Sequence, residues 1–159
     1  MLKKSSAAFS LLETLLVLAL IIVLFGLGIF AYRNFYQSAT LDSTAQEVVS
    51  ALREAQQNAM SGKDDASWGV QFLADRYTLF AGSDAASSTN KRAVLLDQAM
   101  TFTALNFSQA GDSISFQKLT GDALSYGSLK LVFREAQDSS QVISISRAGA
   151  IQANIATQW

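Results

Sequence analysis

Residues 7–32 read AAFSLLETLLVLALIIVLFGLGIFAY, and the one carboxylate among them is Glu13. A carboxylate in an apolar run is expensive unless something answers its charge. Three arrangements would do so. In the first, Ser10-Leu11-Leu12-Glu13 forms a capping box, with Ser10 capping a helix while Glu13 reaches back to a backbone N–H. In the second, Glu13 lies in a lipid headgroup region, where its charge costs little. In the third, a group of opposite charge neutralises it. Elsewhere chemistry-bearing residues are sparse. Asp64-Asp65 has the charge for calcium, but adjacent side chains seldom converge, so a solvated loop is the plainer reading. Asn106-Phe107-Ser108 matches the glycosylation triplet, which also arises by chance. Trp68 and Trp159 could anchor a partner; the plainer readings are a core position for Trp68 and a terminal plug or exposed aromatic for Trp159.

Composition narrows the chemistry further. The 159 residues contain no cysteine, no histidine and no proline. Disulfides, iron–sulfur clusters and thiolate zinc sites are excluded together, and so is the commonest general base and metal ligand. No Gly-rich phosphate loop, metal-ligand cluster or nucleophile elbow stands in the sequence. The chain is therefore expected to be no enzyme, with no catalytic residue, no metal and no cofactor. Residues 34–159 hold nine Lys/Arg and twelve Asp/Glu, a balance of −3. A protein built around phosphate contacts would usually be basic, so nucleic acid is disfavoured as a partner.

The elements around Glu13 follow from patterning. Leu15 to Tyr32 is free of charge and would rise about 27 Å as a helix, close to the thickness of a hydrocarbon layer. Lys3 and Lys4 precede it and Arg33 follows, which predicts a cytoplasmic N-terminus and an external remainder. Past Arg33 the pattern turns amphipathic. Leu41, Ala45, Val48, Leu52, Ala55 and Ala59 recur at helical spacing and predict a buried stripe. Together the segments predict a helix from Phe9 to about Ser61, stopped by Gly62. Gly26 and Gly28 each weaken it by about 1 kcal/mol, which marks them as the place for unwinding or for close packing.

From Trp68 the period becomes that of strands. WGVQFLADRYTLFAG predicts a hairpin turning near Ala74-Asp75-Arg76, and residues 82–92 a polar loop. AVLLD, MTFTALNF and SISFQKL follow as strands. Three more present Leu129, Leu131 and Phe133, then Ile143 and Ile145, then Ile151, Ala153 and Ile155, with turns at Gln137–Ser140 and Ala148-Gly149. The expected fold is α+β: a long N-terminal helix with a transmembrane half and an amphipathic half, packed on a mostly antiparallel sheet.

The stretch Ala8-Phe9-Ser10-Leu11-Leu12-Glu13-Thr14, with lysines before it and an apolar helix after it, resembles the N-terminus of type IV pilin-like proteins. LREAQQNAMSG, ISFQKLTGD leading to SLKLVF, and VISISRAGAIQ resemble the minor pseudopilins of type II secretion, general secretion pathway protein H and the fimbrial T proteins. The resemblance implies a leader of residues 1–8, a transmembrane half of 9–32, an amphipathic half of 33–61 and a β-rich head of 62–159. It implies cleavage by prepilin peptidase between Ala8 and Phe9, where the family typically has glycine in place of Ala8, and methylation of Phe9. The new amine would meet Glu13 of its own chain or of a neighbour and set the register of stacked subunits. The partners implied are other pilin or pseudopilin subunits, the peptidase, an inner-membrane assembly platform and membrane lipid. The implied location is the bacterial inner membrane, as a single-pass protein, and then a filament. The alternative is a DNA-binding minor pilin of a competence pilus. In those relatives basic residues follow the last glycine turn, where this chain has Gly149-Ala150-Ile151-Gln152 with only Arg147 near.

Overall fold

The computed structural model describes residues 10–109, 111–134 and 139–157, and their side chains except those of 27–35, 139 and 155–157. Helical backbone runs over Leu11–Met60 (α1), followed by a 3-10 turn at Lys63–Asp65. Eight strands follow: β1 (Trp68–Leu73), β2 (Arg76–Ala81), β3 (Lys91–Leu95), β4 (Met100–Phe107), β5 (Ser113–Phe116), β6 (Gly127–Phe133), β7 (Ser139–Ile145) and β8 (Ile151–Thr157). The chain divides into two compact units, the first ending at Gln37 and the second beginning at Ser38. The residues of α1 are thus shared between two units.

In the first unit the expectation of a transmembrane half over 9–32 is corrected. Among the described residues no helix is long and apolar enough to cross a membrane. The placement as a single-pass protein of the bacterial inner membrane falls with it. So does the picture of one membrane-to-head spine, because the chain divides at Gln37.

The second unit is built on the stripe. Leu41, Ala45, Val48, Leu52, Ala55 and Ala59 are all buried, and the polar residues between them, such as Asp42, Gln46, Glu47 and Arg53, are exposed. The 3.6-residue period of α1 puts the six on one face. The helix stops because Gly62 adopts φ 66°, a left-handed conformation that glycine takes at no steric cost, and donates its N–H to Ala59 O.

The sheet expectation is corrected too: the strands form two four-stranded antiparallel sheets, ordered β3-β2-β1-β5 and β4-β6-β7-β8. One apolar core joins them to the stripe of α1. Val70, Phe72 and Leu79 contribute from the first sheet, and Leu129, Leu131, Phe133, Ile143 and Ile145 from the second. Phe72 stands edge-on to Phe102 with centroids 5.3 Å apart, a contact from β1 to β4 that crosses between the sheets. β1 is buried on both faces over Trp68, Gly69 and Val70. Gly69 is obligatory there, since a Cβ would lie 2.6 Å from Ile114 O and 2.8 Å from Phe80 Cζ.

Candidate functional site

Glu13 lies in the first turn of α1 and is exposed. The Ser10 side of the capping box is formed: Glu13 N–H donates to Ser10 Oγ at 3.2 Å, and Thr14 N–H donates to Ser10 O at 3.2 Å. The Thr14 hydroxyl donates to Leu11 O at 2.8 Å. A carboxylate in the first turn is also favoured by the helix dipole, whose positive end lies there. Thus the fold gives Glu13 a favoured place at the start of α1. Ser10→Ala removes the Oγ acceptor, at a cost of about 1 kcal/mol. The expected result is amide hydrogen exchange about fivefold faster at Glu13, with the melting of the second unit unchanged.

Around that start the surface is apolar. From Leu11 to Phe25 every Leu, Ile, Val and Phe side chain is at least 41 % exposed. Exposed patches of that continuity on folded proteins mark interaction surfaces. Gly26 lies in this helix with nothing within 4 Å of the place a Cβ would take, and helical backbone continues through Gly28. Ala8 and Phe9 lie outside the described residues, as do residues 1–7, Trp159 and the turn positions 137 and 138.

In the second unit three separated sequence stretches converge. Gln56, from LREAQQNAMSG, donates its side-chain Nε2 to Gly121 O and to Gly149 O, each at 3.1 Å. Gly121 belongs to ISFQKLTGD and Gly149 to VISISRAGAIQ. A backbone bond from Leu119 N–H to Ala59 O, 2.9 Å, lies beside this clasp. Both glycines are buried with φ of 73° and 76°. Nothing in the sequence singles out Gln56, because a glutamine on a polar helix face carries no periodic signal. A second tie runs from Gln141 Nε2 to Asp42 Oδ1, 3.0 Å, joining β7 to α1.

The remaining candidates resolve individually. Asp64 and Asp65 take separate partners: Asn90 Nδ2 donates to Asp64 at 2.7 Å, and Lys118 pairs with Asp65. The hydrogen bond from Lys118, then its charge, hold the Asp65 carboxyl below the usual carboxylate range. Trp68 is buried, donates Nε1–H to Lys63 O at 3.0 Å and lies 5.1 Å beneath the Lys63 ammonium. Asn106 is exposed at the register shift of β4. Arg147 lines a groove of about 680 Å³ together with Asp122, Gln117 and Tyr126. A carboxylate in the same groove works against phosphate binding there. Tyr77 lines a second groove with Glu47, Glu54 and Arg92; burial first, then the Glu47 charge, push its phenol up. Comparisons with protein-family models, with curated proteins and with solved structures each find no match.

Proposed function

We propose that this chain is a structural subunit of a pilin-like filament, a minor pilin or a type II secretion pseudopilin. One observation carries the reading: the continuous exposed apolar surface of Leu11–Phe25, begun by a capped turn that holds Glu13 at its head. Such a surface gains about 25 cal/mol for each Å² of apolar area it buries, and the same surface on neighbouring copies supplies that burial at any subunit number. Cleavage before Phe9 would place a new amine one turn from Glu13. Among packed helices an ionised pair of this kind is tolerable only when both members meet, which makes it a device for register more than for net stability.

The partners of this reading are further subunits of the filament, prepilin peptidase and the assembly platform. Force comes from elsewhere, and the second unit contributes shape and surface. Intact-mass measurement of the protein taken from assembled filaments tests the proposal. The expected mass lacks residues 1–8 and carries one added methyl group. A filament-borne chain that still begins at Met1 overturns it.

A further inference from the structure

Among the described residues four strands stand last in the two sheets: β3 and β5 in one, β4 and β8 in the other. An open side displays unpaired N–H and C=O groups on which an extended chain can dock, and folded proteins usually obstruct it. Three of the four sides carry an obstruction. β3 begins with the exposed charges Lys91 and Arg92. β5 is only four residues long, and Asp122–Leu124 already pair along its outer side. β4 is interrupted by a register shift between Thr103 and Asn106, with Ala104 at φ 50°. β8 differs from all of them. Its seven residues pair with β7 in unbroken register, from Ile145↔Ile151 to Ser139↔Thr157, and include no charge, glycine or proline.

The ground beside β8 is open as well. Gln152, Ala153 and Asn154 are all exposed, so both faces of the strand meet solvent at its middle. A groove of about 490 Å³ runs between Ile151–Asn154 and the α1 residues Gln46, Val49, Ser50 and Arg53.

We infer that β8 is a strand-addition interface whose occupant is β8 of a second copy, antiparallel and centred on Asn154. Backbone chemistry fixes the kind of occupant, since only an extended strand satisfies a row of alternating donors and acceptors. The sequence of β8 suits a second copy. Centred on Asn154, Ile151 stands opposite Thr157 and Gln152 opposite Ala156, and no like charges meet along the whole length. The contact is self-complementary, as a two-fold interface requires, and merges two four-stranded sheets into one. It uses neither Glu13 nor the apolar helix, so it stands or falls apart from the filament reading.

The absence of native cysteine allows a direct test on the full chain, kept dispersed by a mild detergent that covers Leu11–Phe25. In the proposed register residue 154 faces its own copy at about 5 Å between Cα atoms, within disulfide reach. Residue 152 lies about 14 Å from its own copy, beyond reach. Asn154→Cys is therefore expected to give a covalent dimer on mild oxidation, while Gln152→Cys, equally exposed, stays monomeric. Asn154→Lys, which sets two like charges face to face, is expected to lower the dimer fraction in sedimentation at least tenfold. Cross-linking through 152 as readily as through 154, or through neither, overturns the pairing. Capture of an extended segment of another protein, with no second copy bound, overturns the choice of occupant.

Discussion

Phe72→Ala is expected to destabilise the second unit by about 3–5 kcal/mol, the range for emptying a fully buried aromatic site. Phe72 is 1 % exposed in β1 and meets Phe102 edge-on at 5.3 Å and Phe107 at 6.2 Å, both on β4. Its ring therefore packs between strands of different sheets, and no single sheet can close over the gap by relaxing alone. The loss combines transfer free energy, a residual cavity and about 1 kcal/mol of aromatic pairing. Urea unfolding followed by tryptophan fluorescence measures it through Trp68, itself buried. Phe72→Leu, which keeps most of the volume, should recover more than half of the loss. Leu95→Ala, at a 72 % exposed position of β3, should change stability by less than about 0.5 kcal/mol. If Phe72→Ala and Leu95→Ala prove equal, the two sheets do not share a core.

That shared core was only partly legible in the residues. The six-residue stripe Leu41–Ala59 could be read because helical periodicity reports burial directly, and all six positions are buried. The β1–β2 hairpin could be read because Ala74-Asp75 separates two strand-like runs, and Leu73 pairs with Arg76 across it. Alternation reports which face is covered but not by which partner. Two sheets around one helix therefore present much the same sequence pattern as one sheet does. Lys91 and Arg92 show a related blindness: by composition they belong to the polar loop 82–92, yet they open β3, where charge suits an exposed edge. Alternation groups Ala153 with Ile151 and Ile155 on one face of β8, yet Ala153 is exposed in this last strand of its sheet.

Site residues divide in the same way. Ser10 and Glu13 carry a short-range signal, a fixed three-residue spacing, and the local hydrogen bond follows from that spacing alone. Gln56 carries none. Its partners are 65 and 93 residues away in sequence, and what they offer is backbone oxygen, which every residue possesses. The only trace of that clasp lies in Gly121 and Gly149, whose positive φ marks two turns tight enough to present their carbonyls to one amide.

Gly149→Ala should reveal how much that clasp holds. An added Cβ would lie 2.3 Å from Gln56 Nε2 and 2.5 Å from Gly121 O, in a backbone conformation of φ 76°. The left-handed conformation costs a non-glycine residue about 1–2 kcal/mol. Displacing Gln56 leaves two buried carbonyls short of a donor, at about 1–3 kcal/mol. Together these give an expected loss of about 2–5 kcal/mol and a Tm lower by roughly 10 °C. Gln56→Leu alone should cost about 2 kcal/mol, since it removes the donor without straining the turn. The double variant separates the causes. If displacement of Gln56 carries much of the Gly149→Ala effect, the two losses overlap, and the double variant falls short of their sum by at least 1 kcal/mol. Strict additivity would mean that strain at the turn acts alone. A Gln56→Leu variant as stable as the parent would mean that the convergence of the three stretches on one glutamine contributes nothing to the fold.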